Sequence, residues 1–122
     1  MRLLPLFVAC ASFCFAGSAL CQGTDTNALL AARGQRIYQS KQCGGCHSFG
    51  RRQSTGPDLL GVTDRRSPEW LHAWLVNPSA PTDPTANMLR KDFGSQMPNM
   101  ELSDKDADAL IAYLAERTKE KK

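Results

Sequence analysis

Cys43-Gly44-Gly45-Cys46-His47 is the stretch that decides how this chain is read. Two thiols two residues apart, with an imidazole directly after the second, are what covalent attachment of haem requires. The thiols add across the haem vinyl groups as thioethers, and the histidine is then held under the iron as its proximal ligand. Other uses of a Cys-x-x-Cys pair ask for something more. A structural zinc site wants four ligands, and beyond the motif the one later residue of that kind is His72. A thioredoxin-like pair follows a buried strand and opens a helix, whereas residues 28–41 have the pattern of a helix running into the motif. The implied cofactor is one haem c, covalent through Cys43 and Cys46, with His47 on the iron.

Upstream of the motif, the first residues of the 122-residue chain have the form of a secretory signal. Arg2 precedes the apolar run Leu3 to Ala16, and small residues follow at Gly17, Ser18 and Ala19. Cleavage after Cys21 gives a signal peptide at 1–21 and one domain at 22–122; cleavage after Ser18 is the alternative. A retained anchor would need a longer apolar run. Lipidation of Cys21 would want Gly or Ala where Leu20 stands. Removing the leader takes Cys10, Cys14 and Cys21 with it, so both thiols left are those of the haem motif. No disulfide is then available, and haem is the staple for a domain short on core. The expected location is periplasmic, with no stable membrane anchor. A formal charge of +3 is too small to favour nucleic acid as a partner.

The rest of the domain reads as short helices without strand patterns. Asp25 or Thr26 caps a first helix in which Leu29, Leu30, Arg33, Ile37 and Tyr38 form a stripe, and Gly34 sits inside it as a point of close helix approach. Residues 48–66 read as a loop around the haem edge. Ser67, Pro68 and Glu69 open a second helix with Trp70, Leu71, Trp74 and Leu75 on its apolar face, stopped by Asn77-Pro78. A short third helix is expected from Thr85 to Lys91. The last helix opens with Ser103 and Asp106 in a near capping box and buries Ala107, Leu110, Ile111 and Leu114. Lys119 to Lys122 reads as a solvated, frayed end.

What stands opposite His47 on the iron decides the chemistry: an open face binds gases or peroxide, and a second strong ligand leaves electron transfer. The candidates are His72, Met88, Met97 and Met100. Met97 is favoured because Pro98 keeps it out of helical geometry and stiffens its loop. A soft, neutral thioether there suits ferrous iron better than ferric and raises the reduction potential. Met100 has no such restraint, Met88 falls on the short third helix, and His72 lies on the polar side of the second.

These pieces together resemble the small class I cytochromes c of bacteria over residues 28–117. The matching segments are 32–38 before the motif, the motif itself, Gly56-Pro57-Asp58-Leu59-Leu60-Gly61 after it, and 97–104 leading into the last helix. The resemblance implies an all-α fold, the class I cytochrome c fold, with short helices packed around one covalently bound haem. It implies that the first and last helices cross near Gly34 with Tyr38 and Leu110 with Tyr113. It also implies that the Pro57 carbonyl accepts the free N–H of His47, that Met97 is the distal ligand, and that Arg65, Arg66, Trp70 or Trp74 contacts a haem propionate.

The function expected is an exported carrier of single electrons between redox proteins, with no substrate turnover of its own. Lys41, Arg51 and Arg52 flank the expected haem edge and would steer a donor and acceptor with an acidic face. The alternative is a permanent haem subunit of a larger oxidoreductase, with the Trp70 and Trp74 helix at its interface. A haem protein reactive toward gas or peroxide is a third reading, disfavoured because no distal His/Arg pair is evident.

Overall fold

Each long helix begins where the sequence supplies a cap. The computed structural model describes residues 25–51 and 54–120; the leader, Arg52 and Lys121-Lys122 lie outside the described residues. Asp25 accepts from the Asn27 N–H at 3.0 Å and opens α1, Thr26–Ser40. A single 3₁₀ turn, Cys43–Gly45, follows directly. After it come α2, Val62–Arg65, and α3, Pro68–Val76, which Ser67 caps through the Trp70 N–H. Asp83 and Pro84 start α4, Pro84–Phe93, as Ser67 and Pro68 start α3. The complete capping box of Ser103 and Asp106 starts α5, Asp104–Lys119. No strand occurs among the described residues, so the fold is all-α as expected.

α1 and α5 form the most extensive helix pair. Their backbones meet at Gly34: a Cβ there would lie 2.0 Å from the Ala109 carbonyl oxygen and 2.8 Å from Tyr113 Cβ. Such closeness puts small residues at the centre, and Ala31, Ala107 and Ala109 are buried. Flanking the crossing, Tyr38 and Tyr113 rings sit 5.5 Å apart, and Arg33 pairs with Asp106 at 2.7 Å. α2 and α3 pack on the same α5, where Val62, Leu71 and Leu114 form a core with Phe49, Leu59, Trp70 and Ile111 against it.

Several expectations are corrected. The stripe on α1 is only partly covered: Leu30, Ile37 and Tyr38 are half-buried, Arg33 is in an ion pair and Leu29 is 57% exposed, while the close crossing itself buries the small Ala31 and Gly34. The stretch expected as loop contains α2, whose four residues are too few to show a period; Val62 anchors it by burial. α4 is longer than expected at both ends: the Asp83 carboxylate caps its start by accepting from the N–H groups of Thr85 and Ala86, and Gly94, at φ 63°, ends it after Phe93. Lys119 is the last residue of α5, and it and Glu120 are exposed, with the Arg117–Glu120 ion pair spanning the helix end.

Candidate functional site

α1 delivers the 3₁₀ turn, and with it Cys43, Cys46 and His47, to the rim of a cavity between α3, α5 and the segment 94–103. The cavity is continuous with solvent along one side. Its inner wall is apolar, with Val62, Leu71, Leu102, Leu110 and Leu114 contributing buried side chains. Cys43 is half-buried, Cys46 exposed, and no disulfide joins them. Burial pushes the Cys43 thiol up, so it stands neutral at neutral pH.

His47 is fixed from behind. Its Nδ1 lies 2.8 Å from the Pro57 carbonyl oxygen. A carbonyl can only accept, so Nδ1 carries a proton and Nε2 is the ring nitrogen left to face a ligand. Gly56 makes this possible: a Cβ there would come within 2.8 Å of His47 Cε1 and 3.0 Å of Nδ1. Asp58 holds the same loop, accepting from Ser48 Oγ at 2.9 Å and the Leu60 N–H at 2.8 Å. Partial burial works against its charge, but these bonds and the N–H groups of Gly50 and Arg51 outweigh it and hold the carboxyl below the usual range. Tyr38 also borders the cavity, its phenol pushed up to about 12 by burial and then by negative charge at Cys43 and Tyr113.

Across the cavity wall, Met97 and Met100 both line the space. Met97 Sδ receives the Trp74 Nε1–H at 3.4 Å. The segment is tied down by two further bonds: Lys41 Nζ donates to the Met100 carbonyl at 2.7 Å, and Gln96 Nε2 to Ser79 Oγ at 2.5 Å. The other two distal candidates are elsewhere. Met88 is 50% exposed on α4. His72 lies on the α3–α5 seam with Nε2 3.5 Å from Asp104 Oδ1 and 3.8 Å from Asp108 Oδ1.

Arg65, Arg66, Trp70 and Trp74 all border the cavity. Arg65 donates to the carbonyls of Leu60 and Asp58, and Trp70 donates its indole N–H to Asp83 at 2.9 Å. Arg66 uses Nη1 on the Arg65 carbonyl and lies 5.4 Å over the Trp70 ring. Arg90 and Asp83 were missed at the sequence level. Arg90 donates to the carbonyls of Pro78 and Pro81 at 2.9 and 2.8 Å and covers Trp74 at 5.5 Å. The Asp83-Pro84 pair, repeating the pattern of Ser67-Pro68, was the signal available for the cap; nothing local marks Arg90. The residues present fit a haem: two thiols, an imidazole with its Nε2 presented, a thioether and an apolar cavity converge.

A family model described as Cytochrome c matches residues 31–118. Among solved structures the chain is similar to a cytochrome c from Rhodothermus marinus, at 29% identity over 76% of this chain and 80% of that one, with a TM-score of 0.71. It is similar to the cytochrome c domain of the pp3183 protein from Pseudomonas putida, at 39% identity over 70% and 88% of the two chains, TM-score 0.60. An engineered Rhodothermus marinus cytochrome c bound to a carbene intermediate matches at 27% identity over 80% and 84%, TM-score 0.67. No curated protein matches the chain.

Proposed function

This chain belongs to the cytochrome c family, as a small class I member with one covalently attached haem c and a role in haem-based electron transfer, and from that premise we propose that it is an exported one-electron carrier between redox proteins. The observation that carries the reading is one cavity bordered by Cys43, Cys46, His47 and Met97 together. There Cys43 and Cys46 would hold the haem by thioether bonds, and His47 and Met97 would ligate its iron. When bound, the haem iron supplies a one-electron couple.

The chain's own residues set the conditions for that couple. The Pro57 carbonyl fixes the His47 ring and increases its donor strength. The Met97 thioether, soft and neutral, favours the ferrous state. The apolar wall keeps water from the inner side, while exposed Cys46 marks the side open to a partner. Arg66 gives Nη1 to a backbone carbonyl where Arg65 gives both Nη1 and Nη2, and it is the candidate for a propionate contact. Arg51 is exposed beside the motif and would steer an acidic face, with Lys41 adding charge while bound to the Met100 carbonyl.

Trp70 and Trp74 stack on each other at 5.0 Å and border the cavity, which supports a role for the pair at the haem. Export rests on the leader at 1–21; among the described residues no helix is long and apolar enough to cross a membrane. The test is the hydrodynamic size of the protein recovered from its native compartment, with the salt dependence of its reduction by a partner. A monomer-sized species whose electron exchange slows as salt rises supports the steered carrier. Stable co-migration with an oxidoreductase would replace it with the subunit reading.

A further inference from the structure

The half-buried Trp74 aims its indole N–H at the Met97 sulfur, a pairing that the electron-carrier role by itself leaves unexplained. The donor is built with care. Trp74 stacks on Trp70 with ring planes 16° apart, and the Arg90 guanidinium lies over the Trp74 ring. Arg90 is itself held by the carbonyls of Pro78 and Pro81, and Trp70 by Asp83. The ring plane, and with it the direction of the N–H, is thus fixed by partners on the 78–83 segment and α4. A cation over the ring draws π density toward itself, which makes the N–H a stronger donor.

We propose that Trp74 is a positioning residue for the distal ligand, its N–H holding one lone pair of Met97 Sδ and leaving the other for the iron. This rests on the reading of Met97 as that ligand. A hydrogen bond into the thioether withdraws electron density from sulfur, and a poorer donor destabilises ferric iron more than ferrous. Trp74 therefore raises the reduction potential above what Met97 alone gives. It also restrains the sulfur, so that the ligand is displaced less readily as pH rises.

The experiment uses the holoprotein with Trp74→Phe, and with Trp74 replaced by benzothienylalanine, which keeps the ring shape and removes the N–H. The reduction potential and the ferric sulfur-to-iron charge-transfer band are read against wild type and Met97→Ala. Both Trp74 variants are expected to lower the equilibrium constant for reduction by about two- to tenfold, tenfold being about 59 mV for a one-electron couple. The band should shift, and should be lost at lower pH than in wild type. An unchanged potential and band in the benzothienylalanine variant overturns the proposal. So does a lowered potential with an unmoved band, since the N–H would then serve a haem propionate. A Met97→Ala protein that keeps the wild-type band shows instead that the ligand reading itself has failed, and the proposal with it.

Discussion

The two walls of the haem cavity are held by different physics. On the side of His47, covalent neighbours do the work: α1 runs into the 3₁₀ turn, the turn presents Cys43 to His47, and Pro57, ten residues on, fixes the imidazole. Behind them lies the α1–α5 crossing, close enough that the Gly34 position meets the Ala109 carbonyl. The Met97 side has no such packing at its centre. Its segment hangs from single side-chain bonds of long reach, Lys41 to Met100, Trp74 to Met97 and Gln96 to Ser79. The first wall should fail cooperatively with the whole domain, and the second should open by itself.

The largest effect is expected at the crossing. Gly34→Ala adds a methyl where a backbone carbonyl stands, forcing α1 from α5 at a cost of about 3 kcal/mol, the upper end of ordinary overpacking. Denaturant unfolding of the holoprotein measures it. A midpoint equal to wild type would mean that the crossing is looser than described, and the contrast between the two walls would be lost.

Gly56→Ala comes next. Its methyl presses on His47 Cε1 and Nδ1, so the Pro57 bond must lengthen, with a loss of about 2 kcal/mol and a changed reduction potential. Loss of stability at constant potential would show that the loop yields and the imidazole does not.

On the opposite wall, Lys41→Met keeps the stem and removes the donor to Met100. About 1 kcal/mol of local stability should disappear, seen as roughly fivefold faster hydrogen exchange in the amides of 97–102 at an unchanged global midpoint. If the midpoint falls in step with the exchange, the two walls are one cooperative unit.

The smallest effect is acid sensitivity, shared by both walls. The carboxyl of Asp106 is held low by the Ser103 hydroxyl and N–H and then by Arg33, and that of Asp83 by the Trp70 N–H, against slight burial. A depressed folded value means stability that is present above the unfolded value, near 3.9, and lost as pH falls through the folded one. Unfolding free energy should therefore drop below about pH 4, and Asp106→Asn should flatten that slope. An identical slope in the variant would remove Asp106 from the acid response.

The same contrast explains what the sequence could reveal. The proximal site is written within the 15 residues from Cys43 to Pro57, where local order alone brings the parts together. Gly34 could be read as a close approach because a glycine costs a helix interior its propensity and so needs a reason. Its partner Ala109 could not, since an alanine on a helix carries no mark of which neighbour it meets. Distal preference for Met97 came from Pro98, again a local constraint. The groups that hold Met97 lie at 41, 74, 79 and 90, distant in sequence and ordinary in type, so only the folded chain brings them together.

Carbon monoxide binding by the ferrous holoprotein, wild type beside Met97→Ala, tests most directly whether the iron is closed between His47 and Met97. Wild type should resist carbon monoxide and show the ferric sulfur-to-iron band, while Met97→Ala binds readily and lacks it. Equal and ready binding by both proteins would show an open distal face, and a gas- or peroxide-reactive haem would stand in place of the electron carrier.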